Sequence, residues 1–434
     1  MKEIIYGKER KIPVIDSVDV LVVGGGPGGL GAAVMAGRNG CRTLLAERFG
    51  ALGGMAFHGE VNPFMYNHFE KRSMDRPVFI DWCEKMLQYY SPSEAERIPF
   101  DPSYGSTLLS KDFAMLAMED LVLESGCTIR YHHTLADVVR EGDTLRYAVF
   151  QTKSGLCAVE SRVFIDSTGD GDLAFLAGCR YEMGNSSGVC QPMSSCFKLS
   201  HVDLKRIPPR AVLNELYEKA KESGLIHCPR EDVLYFTAIN ENTLHFNTTR
   251  IVKRSPVDAL DLNEAELEAH RQMREIARWL IAEVPGFEHA RISSSAARIG
   301  VRESRRIRGI RRLGREVFTE RRKFPDAVLR CNYTIDIHNP TGTGTEIESM
   351  PNTEYFEIPY GCIVPEGVKN LVVGGRPISV DQALHSSCRV MPPAISLGQA
   401  AGVAAAMSCQ SGTALPDLDG VKVRGQLRAL GANL

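Results

Sequence analysis

A glycine-rich stretch, GGGPGG, lies at residues 24–29. It is the first segment of the chain whose residue types and spacing indicate ligand binding. Its glycines follow the G-x-G-x-x-G spacing of a dinucleotide-binding loop, which makes a tight turn and lets a pyrophosphate approach the backbone. The helix that follows would offer its unpaired N–H groups to phosphate. The spacing therefore predicts ligand contacts from Gly24, Gly26, Pro27, Gly28 and Gly29.

The second such residue is Glu47, which ends the next apolar strand eighteen residues after Gly29. A carboxylate at this distance can accept hydrogen bonds from both hydroxyls of a ribose, and it would repel a 2′-phosphate. An NADP-type ligand is therefore disfavoured. Strand, glycines, helix, strand and acid occur in this order, and this context supports nucleotide binding more strongly than the glycines alone do.

Three later segments resemble the parts of glutathione-reductase-like flavoproteins that contact FAD. They are residues 48–55 (RFGALGGM), residues 163–171 (VFIDSTGDG) and residues 370–379 (NLVVGGRPIS). This resemblance implies FAD rather than NAD as the ligand. It also implies the following further FAD contacts: Arg48, Gly53, Gly54, Met55, Ala136, Thr168, Gly169, Asp170, Gly375, Arg376, Pro393, Ala394 and Gly398.

From about residue 18 to about residue 407 the chain is similar to the bacterial FAD-dependent oxidoreductases, distant relatives of fumarate reductase and succinate dehydrogenase flavoproteins. That family is well defined by sequence and poorly defined by substrate, so the resemblance implies the cofactor and leaves the reaction open. The segments that add to it are residues 300–307, 333–340, 358–361 and 386–401.

Flavin catalysis needs an acid or base and a group that stabilises negative charge. An imidazole exchanges a proton near neutral pH, and the resemblance places two histidines near the ring. Arginine has a planar, permanently charged fork that suits a substrate carboxylate. The resemblance also implies that the helix beginning near residue 393 points its N-terminus at the flavin pyrimidine, where its unpaired N–H groups would stabilise negative charge. The predicted catalytic residues are His385, His338, Asp336, Arg302, Arg305 and Arg389.

These residues favour an FAD-dependent dehydrogenase or reductase that exchanges a hydride with a small polar metabolite. Oxidation of an alcohol, sugar or hydroxy acid and reduction of an activated C=C bond both stay open, as does the electron acceptor. No second G-x-G-x-x-G follows a strand, so the sequence predicts no separate nicotinamide-binding domain.

Two alternatives belong to other functional classes. The arginine-dense residues 298–323 raise the hypothesis of a flavin-bearing RNA-modifying or RNA-binding protein, although the segment lacks interleaved aromatic residues for base stacking. The second alternative is a flavin-containing electron-transfer subunit. Its iron–sulfur cluster would lie on a partner chain, because this chain has no C-x-x-C motif.

The elements that must position these residues alternate strand and helix. Apolar runs predict strands at residues 18–23 and 42–47 on either side of a helix, and residues 110–126 read as an amphipathic helix. Short strands at residues 128–131, 137–139 and 146–151 match an antiparallel β-meander. Longer helices are predicted at residues 263–284 and 393–410, and the second is rich in alanine and glycine, so that its backbone can pack closely.

The predicted fold class is therefore α/β. A discontinuous Rossmann-like FAD-binding domain with a β-meander would comprise residues 1–180 and 356–434, and an inserted α+β substrate domain would comprise residues 181–355. The change to a proline-containing, arginine-dense pattern after residue 180 marks the insertion.

Composition limits the partners of the chain. The 434 residues carry a net charge of −2, which gives no overall field toward nucleic acid or an anionic membrane. The first fifteen residues are charged and lack an apolar signal segment, and no uncharged apolar stretch reaches spanning length, so a cytoplasmic location is expected. The 12 scattered cysteines predict buried thiols and no metal site. We expect a small-molecule substrate and no binding to nucleic acid or membrane. The sequence is also compatible with a homo-oligomer.

Overall fold

The computed structural model describes residues 11–62, 64–98, 101, 110–238 and 242–434. The first ten residues, which contribute to the expectation of no signal segment, lie outside the described part. The helices are α1 (Pro27–Arg38), α2 (Val78–Leu87), α3 (Pro92–Ala95), α4 (Lys111–Glu124), α5 (Asp172–Leu176), α6 (Arg210–Glu222), α7 (Ala259–Glu283), α8 (Glu316–Thr319), α9 (Gln382–Cys388), α10 (Met391–Ser411) and α11 (Gly420–Ala429). Short 3₁₀ helices cover Tyr360–Cys362 and Leu415–Asp417.

The strands form one large sheet, one four-stranded sheet and several two-stranded pairs. They are β1 (Val14–Val23), β2 (Thr43–Ala46), β3 (His68–Phe69), β4 (Arg72–Ser73), β5 (Thr128–Arg130), β6 (Thr134–Glu141), β7 (Thr144–Thr152), β8 (Gly155–Asp166), β9 (Tyr181–Met183), β10 (Phe197–Ser200), β11 (Tyr235–Thr237), β12 (Leu244–Phe246), β13 (Arg291–Ser295), β14 (Arg305–Ile307), β15 (Ala327–Cys331), β16 (Ile335–His338), β17 (Thr345–Glu348), β18 (Phe356–Pro359) and β19 (Leu371–Val373).

The large sheet has seven strands in the order β5-β2-β1-β8-β7-β6, and β19 also pairs with β8. Strands β5, β2, β1, β8 and β19 run parallel. The last four residues of β1, from Val20 to Val23, are all buried, as expected for a central parallel strand covered on both faces. The fold is therefore α/β with a Rossmann-type parallel sheet, as the sequence predicted.

The β-meander consists of β6, β7 and β8, which pair antiparallel in chain order. The prediction that residues 128–131 belong to it was wrong. That segment is β5, which pairs parallel with β2 at the sheet edge, because helix α4 precedes it and returns the chain in the parallel direction. Strand β8 joins the two arrangements, since its residues 155–160 pair with β7 and its residues 164–166 with β19.

Helix α10 lies directly on α1. It begins at Met391, two residues before the prediction, because prolines fit the first turn, where an N–H has no partner to lose. A Cβ atom added at Gly398 would lie 2.0 Å from the carbonyl oxygen of Gly28. One added at Gly402 would lie 2.4 Å from that of Ala32. The close backbone packing predicted for this helix is confirmed.

A separate unit of structure follows β9. Strands β11, β12, β10 and β13 form an antiparallel sheet in that order, and α6 and α7 contribute to the same hydrophobic cluster. Helix α7 begins at Ala259, four residues before the prediction. The side chain of Asp258 caps it by accepting hydrogen bonds from the backbone N–H groups of Leu260 and Asp261.

The described residues form three hydrophobic clusters. The largest draws on residues 18–179 and 307–434, the second on residues 197–290, and a small third cluster includes Met193 and Val301. The second and third clusters thus fall inside the predicted insertion, while residues from Ile307 onward already pack with the first core. The exact domain boundaries at residues 180 and 355 stay a prediction.

All 12 cysteines are buried and free of disulfide bonds, as the sequence predicted. No group of three or more His, Cys, Asp or Glu side chains within the described ranges is arranged to hold a metal ion. Within the same ranges, no single helix has the length and apolar character needed to cross a membrane. Only α9 and α10 taken together pass that test, and they bend by 93° where they meet.

Candidate functional site

The glycine loop connects the end of β1 to the start of α1. Gly24 has a φ of 103°, which favours glycine, and a Cβ atom there would lie 2.3 Å from the carbonyl oxygen of Ser167. A Cβ atom at Gly29 would lie 2.0 Å from the carbonyl oxygen of Gly24. Helix α1 has Gly26 as its N-cap and Pro27 in its first turn. The loop therefore presents backbone N–H groups where a side chain would otherwise stand.

Glu47 follows the end of β2 and is buried, with 5% of its surface exposed. Its Oε2 accepts a hydrogen bond from the backbone N–H of Gly25 at 2.7 Å, and its Oε1 accepts one from Phe49 at 2.9 Å. The carboxylate thus fixes the glycine loop. Each oxygen retains a further lone pair with which it can accept a hydrogen bond from a ligand hydroxyl.

A cavity of about 150 Å³ opens above these residues, and we name it the glycine-loop cleft. It lies at the carboxyl ends of the parallel strands, where α/β proteins bind ligands. Of the residues predicted to contact FAD, those that line the cleft are Gly24, Gly26, Pro27, Gly28, Glu47, Arg48, Gly54, Met55, Thr168, Gly169, Asp170, Gly375, Arg376 and Ala394.

Five predicted contacts do not line the cleft. Gly29 and Gly398 lie at backbone–backbone packing points, and Gly53 packs on Phe57. Pro393 is buried within the first turn of α10, and Ala136 is exposed on β6. The cleft instead includes residues that the sequence analysis did not select, among them His133, which precedes β6, and Thr134 and Leu135, with which β6 begins. Their position after a parallel strand was the available signal.

Asp170 and Arg376 meet on one wall of the cleft. Nη2 of Arg376 donates to Oδ1 of Asp170 at 2.5 Å, and the hydroxyl of Ser304 donates to the same oxygen at 2.8 Å. The buried Nε atoms of Arg376 and Arg389 have no hydrogen-bond partner within the part of the chain that the structure describes. Both side chains line the cleft, where a ligand can supply the missing acceptors.

A second cavity of about 790 Å³ adjoins the cleft, and we name it the large cavity. The two share Met55, Arg376, Arg389 and Met391 in their linings, so an extended ligand can reach from one into the other. Four of the six predicted catalytic residues line the large cavity, namely Arg302, Asp336, His338 and Arg389.

Arg302 is a cation in the large cavity that has no ion pair of its own, because the nearby carboxylate of Asp336 pairs with Arg389. Its Nη1 donates to the carbonyl oxygen of Pro192 at 2.8 Å and to the hydroxyl of Ser194. No carboxylate of the described residues forms an ion pair with it. Burial, assisted by the charges of Arg389 and Arg230, lowers the pKa of Arg302 to about 9. The positive field at this point favours an anion.

Asp336 and His338 lie on one face of the β16–β17 hairpin and line the large cavity. Oδ2 of Asp336 accepts from Nη2 of Arg389 at 3.2 Å, and Oδ1 lies 3.4 Å from Nε2 of His338. Although burial acts in the opposite direction, His338, Arg389 and Arg302 together hold the pKa of Asp336 well below its usual value. The aspartate therefore remains ionised and holds Arg389 in place.

His338 is fixed from its other side by Arg250, a buried residue that the sequence analysis missed. Nη2 of Arg250 lies 3.1 Å from Nδ1 of His338, and Nη1 lies 2.9 Å from Oε2 of Glu231. Because a guanidinium only donates, Nδ1 must accept and Nε2 carries the proton toward Asp336. Burial, with Arg302 next in effect, lowers the pKa of His338 to about 3, so the imidazole is neutral at pH 7.

The structure does not place His385 or Arg305 on the lining of either cavity. His385 lies on α9 with 1% of its surface exposed, and neither ring nitrogen has a partner among the described residues. Burial holds its pKa well below the usual value. Arg305 pairs with Asp172 at 2.7 Å and stacks on Phe175. Their positions in the sequence were close to the site, but their side chains turn into the core.

Most arginines of residues 298–323 pair with carboxylates, which leaves few free cations for the RNA-binding alternative. Each pair has an N–O distance of 3.6 Å or less. The pairs are Arg305 with Asp172, Arg306 with Glu303, Arg308 and Arg312 with Glu182, Arg311 with Asp326, Arg315 with Glu346 and Glu348, and Arg322 with Glu320.

A sequence model of the family described as FAD dependent oxidoreductase matches residues 19–427. Among curated proteins, dihydrolipoyl dehydrogenase of Trypanosoma brucei brucei is 51% identical over 45 residues, which cover 10% of this chain and 9% of that protein.

Two solved structures are similar over 95% of this chain. A geranylgeranyl bacteriochlorophyll reductase-like protein from Thermoplasma acidophilum is 14% identical, with 84% of that chain covered and a TM-score of 0.46. The myxobacterial chondrochloren halogenase CndH is 13% identical, with 78% of that chain covered and a TM-score of 0.45.

Proposed function

Because the chain belongs to the FAD dependent oxidoreductase family, we propose that it exchanges a hydride between FAD in the glycine-loop cleft and an organic anion in the large cavity. The observation that carries the proposal is Arg302, a guanidinium with no carboxylate partner among the described residues, in a cavity that adjoins the cleft. A half-buried cation with no ion pair of its own is stabilised further by an anion, so the substrate is expected to supply the negative charge.

The residues of the cleft fit the cofactor of this family. The start of α1 would hold the phosphates, and the free lone pairs of Glu47 would accept hydrogen bonds from the ribose. The unpartnered Nε atoms of Arg376 and Arg389 would donate to acceptors of the cofactor or the substrate. Bound FAD would supply a ring that accepts or donates a hydride.

Within the large cavity, Arg302 and Arg389 would bind a carboxylate, which narrows the predicted metabolites to acids. In oxidation of a hydroxy acid, the C–H bond would break with its hydride passing to bound FAD, and the O–H bond would break with its proton passing to solvent. In reduction of an unsaturated acid, a hydride from the reduced cofactor would add to one carbon and a proton from solvent to the other. Both directions remain within the proposal.

The roles of Asp336 and His338 follow from their contacts. Both ring nitrogens of His338 face protein groups, so the imidazole would not exchange a proton with substrate in this arrangement. We assign to the pair the role of holding Arg389 toward the cavity. This differs from the acid–base role that the sequence suggested for His338.

The experiment is anaerobic reduction of the protein-bound flavin by a panel of 2-hydroxy acids, followed by absorbance, in the wild type and in Arg302→Gln. The variant should keep its flavin and lose about 10- to 150-fold in kcat/KM, since a hydrogen bond to a charged group contributes roughly 1.5–3 kcal/mol. Arg322→Gln, on an exposed arginine of the same segment, is the matched control and should behave as wild type. Equal kcat/KM in wild type and Arg302→Gln would overturn the proposal.

A further inference from the structure

The size and lining of the large cavity indicate what the rest of the substrate is, besides its negative charge. Its volume of about 790 Å³ lies in the upper part of the range for cavities that enclose drug-sized ligands, about 300–1,000 Å³. A two- to four-carbon acid at Arg302 would fill little of that space. The remaining volume offers room for a larger substrate, even when the flavin ring occupies part of it.

The charges of the cavity are balanced except at one point. Arg230 pairs with Asp232 at 3.0 Å. The other pairs are Glu231 with Arg250 at 2.9 Å, Arg376 with Asp170 at 2.5 Å and Arg389 with Asp336 at 3.2 Å. Among the described lining residues, Arg302 is the charged side chain that has no ion pair of its own, since Asp336, whose charge acts on it, is bonded to Arg389. One uncompensated positive charge suits a ligand with one negative charge, and a second carboxylate would enter a site with no cation left to pair with it.

Part of the lining away from this charge is apolar. Two apolar lining residues, Phe64 and Met65, follow the cleft residue Met55 in the chain. The ring of Phe64 stacks on that of Trp82, with 4.9 Å between the ring centroids. Leu234 and Phe236 are two residues apart at β11, so an extended strand turns both to the same side. These side chains have no charge to offer and would gain from contact with hydrocarbon.

The apolar wall begins directly beside the charged residues. Ile347 lies opposite Asp336 in the β16–β17 register, which places directly opposed Cβ atoms about 5 Å apart. Ile347 is 66% exposed although it is a large aliphatic residue that lines the cavity. Ile347 therefore adds an aliphatic surface to the cavity beside the charged residues.

We infer that the substrate is an amphipathic monocarboxylic acid, whose carboxylate binds Arg302 and whose hydrocarbon part lies against Leu234, Phe236 and Ile347. The inference rests on the proposed function, and it excludes short hydroxy acids and dicarboxylic acids as the preferred substrates. It follows from the single unpaired cation and the adjoining apolar wall.

The experiment measures binding of non-reacting acids to the FAD-containing protein by isothermal titration calorimetry. Straight-chain monocarboxylates from acetate to octanoate should bind more tightly with length, by about fourfold for each methylene that is buried, since one buried methylene contributes about 0.8 kcal/mol. Octanoate should bind at least about tenfold more tightly than octanedioate of equal length, because burying an unpaired second carboxylate is costly. Affinity that does not rise with length, or an equal preference for the diacid, would overturn the inference.

Variants separate this inference from the proposed function. Ile347→Ala and Phe236→Ala should each weaken octanoate binding by roughly three- to tenfold and leave acetate unchanged. The first alters an exposed side chain and is not expected to disturb folding. Leu267→Ala, on an exposed leucine of α7, is the matched control and should not change either affinity.

Arg302→Gln should weaken every acid by the same factor. If Arg302→Gln weakens acids while the two apolar variants leave the length dependence intact, the inference fails and the proposed function stands. If octanamide binds as tightly as octanoate, the anion site itself is wrong and both fail.

Discussion

The glycine-loop cleft and the large cavity share four lining residues, yet they are built in different ways. The cleft is built around a loop and a helix start that one short sequence motif specifies, with residues from several later segments. The large cavity is made of side chains from at least six separate segments, and its charged groups meet only after folding. The first construction specifies a cofactor shared by a family, and the second can change its substrate by altering single side chains.

A substitution inside the glycine loop tests the cleft with the largest expected effect. In Gly29→Ala the new Cβ atom would lie 2.0 Å from the backbone oxygen of Gly24, which has no flexible side chain to move away. Overpacking of this kind costs about 1–3 kcal/mol or more, so we expect a loss of flavin affinity of about 100-fold. The flavin-to-protein absorbance ratio of the purified variant measures it.

Gly425→Ala is the control, because a Cβ atom at this position in α11 meets nothing within 4 Å. That variant should keep its flavin. If Gly29→Ala purified with a full complement of FAD, the close approach of β1 and α1 would not be needed for cofactor binding.

Substitution of Arg389, which lines both cavities, should have a smaller effect than Gly29→Ala but should weaken the binding of two ligands. Arg389 pairs with Asp336, and its Nε has no partner among the described residues. In Arg389→Gln we expect about tenfold weaker binding of FAD and of octanoate, because each loses one charge-assisted hydrogen bond worth about 1.5 kcal/mol. Equilibrium titration of each ligand measures the two effects separately. A change in only one of the two affinities would show that the cavities are not coupled through this side chain.

The sequence predicted the cleft better than the large cavity for a physical reason. A glycine spacing determines local backbone geometry, so the positions of Gly24, Glu47 and Gly54 could be read from the chain. The orientation of a side chain on a short helix depends on distant packing. The sequence therefore did not indicate that the side chain of His385 is buried and lines neither cavity, or that Arg250 would contact His338 across 88 residues.

The smallest effect on either ligand is expected at Asp75, which supports α10 from outside both cavities. Its carboxylate is fully buried and accepts hydrogen bonds from Asn67 at 2.9 Å and Ser396 at 2.7 Å. Burial raises the pKa of Asp75 to about 7. The folded protein therefore binds this proton more tightly than the unfolded chain does, so stability should fall as the pH rises from about 4 to above 7.

Asp75→Asn removes this titration and keeps groups able to bond both neighbours. Its Tm should exceed that of the wild type by a margin that grows between pH 5 and pH 8, with little change in flavin content or acid binding. Thermal unfolding followed by circular dichroism at several pH values measures this. Parallel Tm curves for the two proteins would mean that Asp75 ionises in the folded state as easily as in the unfolded chain.

The central claim is that an anion at Arg302 lies beside the flavin bound in the glycine-loop cleft. The most direct test is the absorption spectrum of the protein-bound flavin during titration with octanoate, in wild type and in Arg302→Gln. The account predicts a saturable change in the flavin bands of the wild type that is absent or needs at least about tenfold more octanoate in the variant. A spectrum that octanoate leaves unchanged, or changes equally in both proteins, would contradict it.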